Sequence, residues 1–215
     1  MRLPALGLLG LTLAACIPAS STPTRFDAQE RVATDTPPAR IAPAAPDRRA
    51  APPCRRIVYI EVVKSEHRLR AWCEQGASVD MTIALGREPQ GPKRVADDLR
   101  TPEGLYRVSG AARPSRFHAF VPIDYPSAED AERAFRDGRI GLEDRERILD
   151  AHLHRLAPPA DTPLGGAIGF HGEGERWAGD SASLDWTFGC IAVRDADIEY
   201  LVTRIETGVP VWIRP

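Results

Sequence analysis

The sequence lacks a strong charge of either sign, and it lacks an apolar run long enough to cross a membrane. Its formal net charge is −2 at pH 7 and its pI is about 6.2, so no overall positive field argues for nucleic-acid binding. The N-terminal apolar run covers about 15 residues, whereas a transmembrane helix needs about 20. Cysteines are scarce as well: there are four, which leaves few candidates for a bridge or a reactive thiol.

The N-terminus has the pattern of a bacterial targeting segment. Arg2 precedes the apolar residues 3–13, and a Leu-Ala-Ala-Cys sequence ends at Cys16. That ending resembles the lipobox of bacterial lipoproteins, which implies a signal peptide over residues 1–15 and lipid attachment at Cys16. Ile17 after the cysteine resembles lipoproteins sorted to the outer membrane of Gram-negative cells. We therefore expect a lipid-anchored protein in the periplasm, with contact to the membrane through its lipid.

Residues 16–53 form the expected tether, because they are rich in proline and alanine and sustain no apolar period. Such a segment does not bury enough apolar surface to offset the entropy of ordering it. The remaining residues, 54–215, are long enough for one sizeable core. We expect that segment to be a single domain.

The first part of this domain has the signature of β-structure. Residues 57–63 are β-branched and aromatic, and residues 68–73 and 79–85 alternate between apolar and polar. Three such strands in close succession predict an antiparallel meander. Further strands are expected at 101–108, 117–123 and 209–213.

Three helices are expected later in the chain. The first begins after a capping box at residues 127–130, the second covers 142–156, and the third is capped by Asp195 and stops at Gly208. The second helix carries His152 and His154, but residues two apart point about 200° apart on a helix, so we predict no zinc site there. The predicted fold class is mainly β with peripheral helices.

A histidine and a cysteine near the C-terminus are the candidates for chemistry. His171 ends an apolar run and is followed by Gly172, and Cys190 follows Gly189. Taken alone, a cysteine in an apolar run is more often a small core residue than a nucleophile. Together the two residues match the requirements of a cysteine nucleophile with its base.

This pattern resembles the catalytic domain of L,D-transpeptidases, the YkuD family. The family has a His-Gly followed, some fifteen residues later, by a Ser/Thr-x-Gly-Cys; here these are His171-Gly172 and residues 187–190. The chain departs from it at two positions. Phe188 stands where many members have histidine, and Ala192 stands where other members have arginine.

The resemblance implies an antiparallel sandwich-like or barrel-like catalytic fold and a set of roles. Cys190 is the nucleophile, His171 the base, and the carbonyl of Gly172 orients the histidine. The backbone N–H groups of Phe188, Gly189 and Cys190 form the oxyanion hole. Thr187 positions the loop or contacts substrate, and Arg194 is a further substrate contact.

The resemblance also implies the reaction class. Peptidoglycan stem peptides are the acyl donors, and the acceptor is a second stem, a protein amine or water, with no cofactor or metal. Such enzymes serve cell wall biogenesis and cell shape. The alternative is a non-catalytic wall-binding lipoprotein, which has no need for a reactive thiol. Papain-like peptidases are disfavoured because they place the cysteine before the histidine.

Two cysteines remain after Cys16 and Cys190 are assigned. Cys54 and Cys73 flank the first predicted hairpin, and an extracytoplasmic location permits a disulfide between them. Two unrelated thiols are the alternative. The sequence favours the bridge slightly and does not address the oligomeric state.

Overall fold

The computed structural model describes residues 54–174 and 185–215. The signal peptide, the lipid attachment at Cys16 and the tether are predictions that lie outside these residues. Within them the structure has nine strands and three α-helices. They are β1 Ile57–Val63, β2 Arg68–Cys73, β3 Ser78–Thr82, β4 Gly104–Arg107, β5 Arg113–Ser115, β6 His118–Pro122, α1 Ala128–Arg136, α2 Leu142–Leu153, β7 Gly169–His171, β8 Ile191–Ala192, α3 Asp195–Val202 and β9 Pro210–Arg214.

The first sheet has five strands in the order β3-β2-β1-β9-β4. The predicted meander is confirmed, because β1, β2 and β3 pair antiparallel as neighbours. The C-terminal strand β9 lies between β1 and β4 and pairs with β1 in parallel, as in Ile60 with Val211. A disulfide joins Cys54 to Cys73, with Cα atoms 5.4 Å apart, and so ties the start of β1 to the end of β2.

The second sheet has four strands in the order β5-β6-β7-β8. Its last two strands are parallel, as are β1 and β9 in the first sheet, so antiparallel pairing predominates but both sheets are mixed. Parallel neighbours need a long connection between them, and the chain from His171 to Ile191 supplies it. The second sheet therefore places the predicted catalytic His171 on the strand next to β8, which directly follows Cys190.

The main core contains buried side chains from both sheets. Ile60 and Leu69 come from the first sheet, while Val121, Phe170 and Ile191 come from the second, and all five are fully buried. Burying a side chain of this size stabilises the fold by roughly 1.5–3 kcal/mol. This shared core fixes the position of β7 and β8, which carry the candidate site.

The helices largely follow their predicted signals. In α1 the Ser127 side chain accepts from Asp130 N and the Asp130 side chain accepts from Ser127 N, which confirms the capping box. Helix α2 ends at Leu153, three residues earlier than expected. The N-cap of α3 is Arg194, which makes no side-chain cap bond, so the predicted capping role of Asp195 is wrong. None of the helices in residues 54–174 and 185–215 has the length and apolar character needed to cross a membrane.

Candidate active site

His171 is the last residue of β7 and is almost fully buried, with 4% of its surface exposed. Its Nδ1 lies 2.7 Å from the carbonyl oxygen of Gly172. Because a carbonyl only accepts, Nδ1 carries the proton and donates, which leaves the lone pair on Nε2. The predicted orienting role of Gly172 therefore has its geometric basis in this bond.

Two aromatic rings hold the imidazole of His171. Phe117 stacks on it with ring centroids 4.7 Å apart, and Trp186 meets it edge-on at 5.4 Å. Burial lowers the pKa of His171, and the positive charge of Arg116 lowers it further, while the bond to Gly172 opposes both effects. The site therefore favours a neutral imidazole, which is the form that accepts a proton.

The His-Gly segment is tied to α3 by Asp195. Its Oδ1 accepts from Glu173 N at 2.8 Å and from Gly174 N at 3.0 Å. A Cβ on Gly172 would lie 2.3 Å from the same oxygen and 2.9 Å from Phe117 O, so only glycine fits there. Asp195 therefore positions the backbone next to the base instead of capping the helix.

Cys190 directly precedes β8 and is half-buried. Its thiol donates to the carbonyl oxygen of Ala167 at 3.6 Å. Burial raises the pKa of Cys190 to about 11, against smaller opposing effects of the Gly169 backbone N–H and the charge of Lys93. The resting form of the nucleophile is therefore the neutral thiol.

The strand pairing brings Cys190 and His171 near each other. Phe170 pairs with Ile191 and His171 with Ala192 in parallel, so Cys190 lies two residues back along the strand direction from His171. Strand spacing and rise put their Cα atoms roughly 8 Å apart. In the described part of the chain, however, the thiol bonds to Ala167 and makes no hydrogen bond with His171. In this structure the sulfur is therefore oriented by the carbonyl of Ala167 and not by a hydrogen bond to the base.

Thr187 holds the loop that leads to Cys190. Its hydroxyl donates to Cys190 O at 2.7 Å and accepts from Gly189 N at 3.1 Å. The side chain is buried, with 3% exposed. The hydrogen bonds of Thr187 support the predicted loop-positioning role, and its contact with substrate stays a prediction.

The three backbone N–H groups predicted to form the oxyanion hole differ in their hydrogen bonding, and the hole itself stays a prediction. The N–H of Gly189 is engaged by Thr187 and is not available to an oxyanion. The N–H groups of Phe188 and Cys190 have no hydrogen-bond partner within residues 54–174 and 185–215. Gly189 has a φ of +125°, and a Cβ there would lie 2.6 Å from Arg100 O, so the turn needs glycine. Two of the three predicted donors remain.

The side chains of Phe188 and Arg194 are exposed. Phe188 exposes 59% of its surface, and the Arg87 guanidinium lies 5.0 Å above its ring. Replacing the family's histidine by Phe188 therefore changes the surface of the loop and leaves its backbone donors in place. Arg194 caps α3 through its backbone, and its predicted contact with substrate stays a prediction.

Sequence reasoning missed the residues that support the site from a distance. Asp185 accepts from Leu85 N at 2.8 Å and from His67 Nε2 at 3.0 Å, which anchors the start of the loop. Phe117, Arg116 and Asp195 contact or influence the His171 segment from other elements. No local motif marks these roles, because each depends on a partner that is distant in sequence.

The comparison with family models gives one match over most of the described domain. Residues 57–213 match the model of the L,D-transpeptidase catalytic domain, YkuD. No functionally curated protein matches the chain significantly.

Solved structures also resemble the chain. One is the helical cell shape determining protein Pgp2 from Campylobacter jejuni, with 19% identity over 76% of this chain and 48% of that one and a TM-score of 0.49. Bd1075 from Bdellovibrio bacteriovorus has 17% identity over 74% and 48% of the two chains, with a TM-score of 0.43. An L,D-transpeptidase from Mycobacterium smegmatis has 13% identity over 74% and 59%, with a TM-score of 0.43. The matches therefore span about half to three-fifths of these structures.

Proposed function

Because the chain belongs to the L,D-transpeptidase catalytic domain family, we propose that it is a cysteine-dependent acyltransferase of peptidoglycan stem peptides. The observation that carries the proposal is the arrangement of β7 and β8. It places a buried histidine with a free Nε2 on the strand next to the one that Cys190 precedes. A wall-binding protein has no use for this pairing.

The first half of the proposed reaction forms a thioester. The thiol of Cys190 attacks the carbonyl of the L-centre of a diaminopimelate residue, and its proton passes to Nε2 of His171. The oxyanion accepts hydrogen bonds from the backbone N–H groups of Phe188 and Cys190. Loss of one such donor typically costs about 3 kcal/mol of transition-state stabilisation. The terminal D-alanine leaves as its amine and takes the proton from the imidazolium.

The second half transfers the acyl group. An amine of a second stem attacks the thioester, His171 takes up the amine proton, and the thiol is regenerated, which leaves a 3–3 cross-link. With water as acceptor the same steps give an L,D-carboxypeptidase. A protein amine as acceptor gives a protein–peptidoglycan ligase, and hydrolysis of that link gives an amidase.

The protonation states support a general-base mechanism over a stored ion pair. Burial raises the pKa of Cys190 to about 11 and lowers that of His171, so a thiolate with an imidazolium is the disfavoured resting state. The two groups exchange the proton during attack, when the developing charges are stabilised by substrate and by backbone donors. In this mechanism the thiol exchanges its hydrogen bond to the carbonyl of Ala167 for one to Nε2 of His171.

The test is incubation of the full chain with tetrapeptide-bearing muropeptides. We expect cross-linked dimers, or tripeptides if water is the acceptor, and no product with Cys190→Ala. The variant removes the nucleophile from a half-buried position, and circular dichroism checks that it is folded. A parent protein that yields neither product contradicts the proposal and favours the non-catalytic wall-binding alternative.

A further inference from the structure

A cavity of about 450 Å³ lies outside the candidate active site. It forms where the ends of β4 and β6, the C-terminus of α2 and the turn before β9 meet. Its wall includes Arg107, Asp124, His152, Arg155, Leu156 and Thr207. The mechanism above uses none of these residues.

Two arginines give this cavity its chemistry. Arg107 and Arg155 are both exposed, and neither side chain makes a hydrogen bond or salt bridge within residues 54–174 and 185–215. Against these two positive charges the wall carries one acidic residue, Asp124. A guanidinium presents planar paired donors that match a carboxylate, so two unpaired ones around a cavity favour an anionic ligand.

The acidic residue is held within the wall. Asp124 Oδ1 accepts from the backbone N–H of Arg107 at 2.6 Å, and its Oδ2 lies 3.7 Å from His152 Nδ1. His152 Nε2 in turn donates to Pro126 O at 2.8 Å. Burial raises the pKa of Asp124, while the hydrogen bond from the backbone N–H of Arg107 opposes this effect. The arginines are therefore the groups left to bind a ligand.

A second cavity of about 320 Å³ borders the first and shares Ser109 with it. Ala157, Ala160 and Ala167 also line this second cavity. The carbonyl of Ala167 is the one that accepts from the Cys190 thiol. The second cavity is therefore bordered at Ser109 by the first cavity and at Ala167 by the residue that contacts the Cys190 sulfur.

We propose that the cavity around Arg107 and Arg155 binds a carboxylate of an extended peptide substrate, away from the carbonyl that Cys190 attacks. The identity of that peptide as a peptidoglycan stem rests on the proposed function. Stem peptides carry carboxylates besides the group at the scissile bond, and an acyl donor lying along the second cavity brings one of them to the arginines.

Binding is measured by calorimetry with the full-length Cys190→Ala protein, so that no turnover occurs. The probes are a stem tetrapeptide with free carboxylates and the same peptide with its carboxylates amidated. Combining Arg107→Gln with Arg155→Gln is expected to raise the Kd of the free acid at least about tenfold, which corresponds to about 1.4 kcal/mol, because the charge-assisted contacts to the carboxylate are lost. The amidated peptide is expected to bind weakly and equally to both proteins. Arg55→Gln, an exposed arginine outside the cavity, is the matched control.

Three outcomes overturn the proposal. In the first, the double variant and its parent bind the free acid with equal affinity; in the second, Arg55→Gln loses as much affinity as the double variant. In the third, inorganic phosphate at equal concentration displaces the peptide. The last outcome identifies a phosphate site. In the protein that retains Cys190, the two arginine substitutions together are also expected to raise KM about tenfold. If the muropeptide assay gives no product, the proposed function fails, while the calorimetry still decides whether the carboxylate site exists.

Discussion

At the scale of single residues, burial by other parts of the fold shifts the pKa values of the candidate pair, His171 and Cys190, in directions that favour the neutral forms. His171, Gly172 and Cys190 stand in a motif whose order and spacing indicate a histidine base and a cysteine nucleophile. The pKa of each group depends on burial by residues from other elements, such as Phe117 and Trp186 around His171. A local pattern does not contain that information.

The raised pKa of Cys190 predicts how its alkylation by iodoacetamide depends on pH. A thiol with a pKa of about 11 is mostly protonated up to pH 9, and its thiolate fraction rises tenfold with each pH unit below the pKa. We therefore expect the alkylation rate at Cys190, followed by peptide mass spectrometry, to rise about tenfold per unit from pH 6 to 9.

The Cys190→Ala protein controls for reaction at other positions. A preformed thiolate–imidazolium pair would instead give a rate that levels off near neutral pH, and such a plateau would contradict the general-base mechanism. Slow labelling at neutral pH is thus compatible with an enzyme here, because the thiolate forms only as the substrate is attacked.

At the scale of elements, the sequence predicted that the strands exist but not the residues at which they end. The alternation over residues 79–85 predicted one strand, but β3 ends at Thr82. Beyond it, Ala84 bridges to Ala192 and Gly86 bridges to Thr187, so this stretch supports the Cys190 loop instead of extending the first sheet. Alternation alone does not distinguish these partners, because both use the same extended backbone.

The link between β7 and α3 gives a prediction for Asp195. Asp195→Ala removes the acceptor for the N–H groups of Glu173 and Gly174, which frees the segment that orients His171. We expect kcat for muropeptides to fall between about 10-fold and 100-fold, since small displacements of a catalytic group have effects of this size.

Asp195→Asn is the matched variant, because it retains an Oδ1 acceptor without the charge. We expect it to keep most of the activity and the parent's imidazole NMR signals for His171, whereas Asp195→Ala shifts those signals. If both variants lose the same activity, the charge of Asp195 matters more than its hydrogen bonds, and the positioning role is refuted.

At the scale of the whole molecule, the sequence predicted the fold class but not which distant strands pair within each sheet. The prediction of a mainly β domain with peripheral helices is confirmed. The parallel contacts of β9 with β1 and of β8 with β7 join segments that are far apart in sequence. They depend on the shared core, in which Val211 of β9 and Ile191 of β8 are both fully buried.

The disulfide between Cys54 and Cys73 predicts a large effect on stability and a small one on chemistry. It closes a loop with a sequence separation of 19 residues at one end of the β1–β2 pair in the first sheet, whereas His171 lies in the second sheet and Cys190 directly precedes its strand β8. Restricting the unfolded chain by a loop of this length stabilises the native state by roughly 3 kcal/mol. The double substitution Cys54→Ser and Cys73→Ser should therefore lower the Tm by about 6–12 °C.

Thermal melts with and without dithiothreitol measure this shift in Tm. Cys190→Ala is the matched control because it retains the bridge. A parent protein whose Tm is the same in both conditions would show that the bridge contributes nothing. A second outcome would contradict the small effect on chemistry. If a double variant that is folded at 25 °C no longer reacts with muropeptides, the chemistry of the second sheet depends on the bridge in the first.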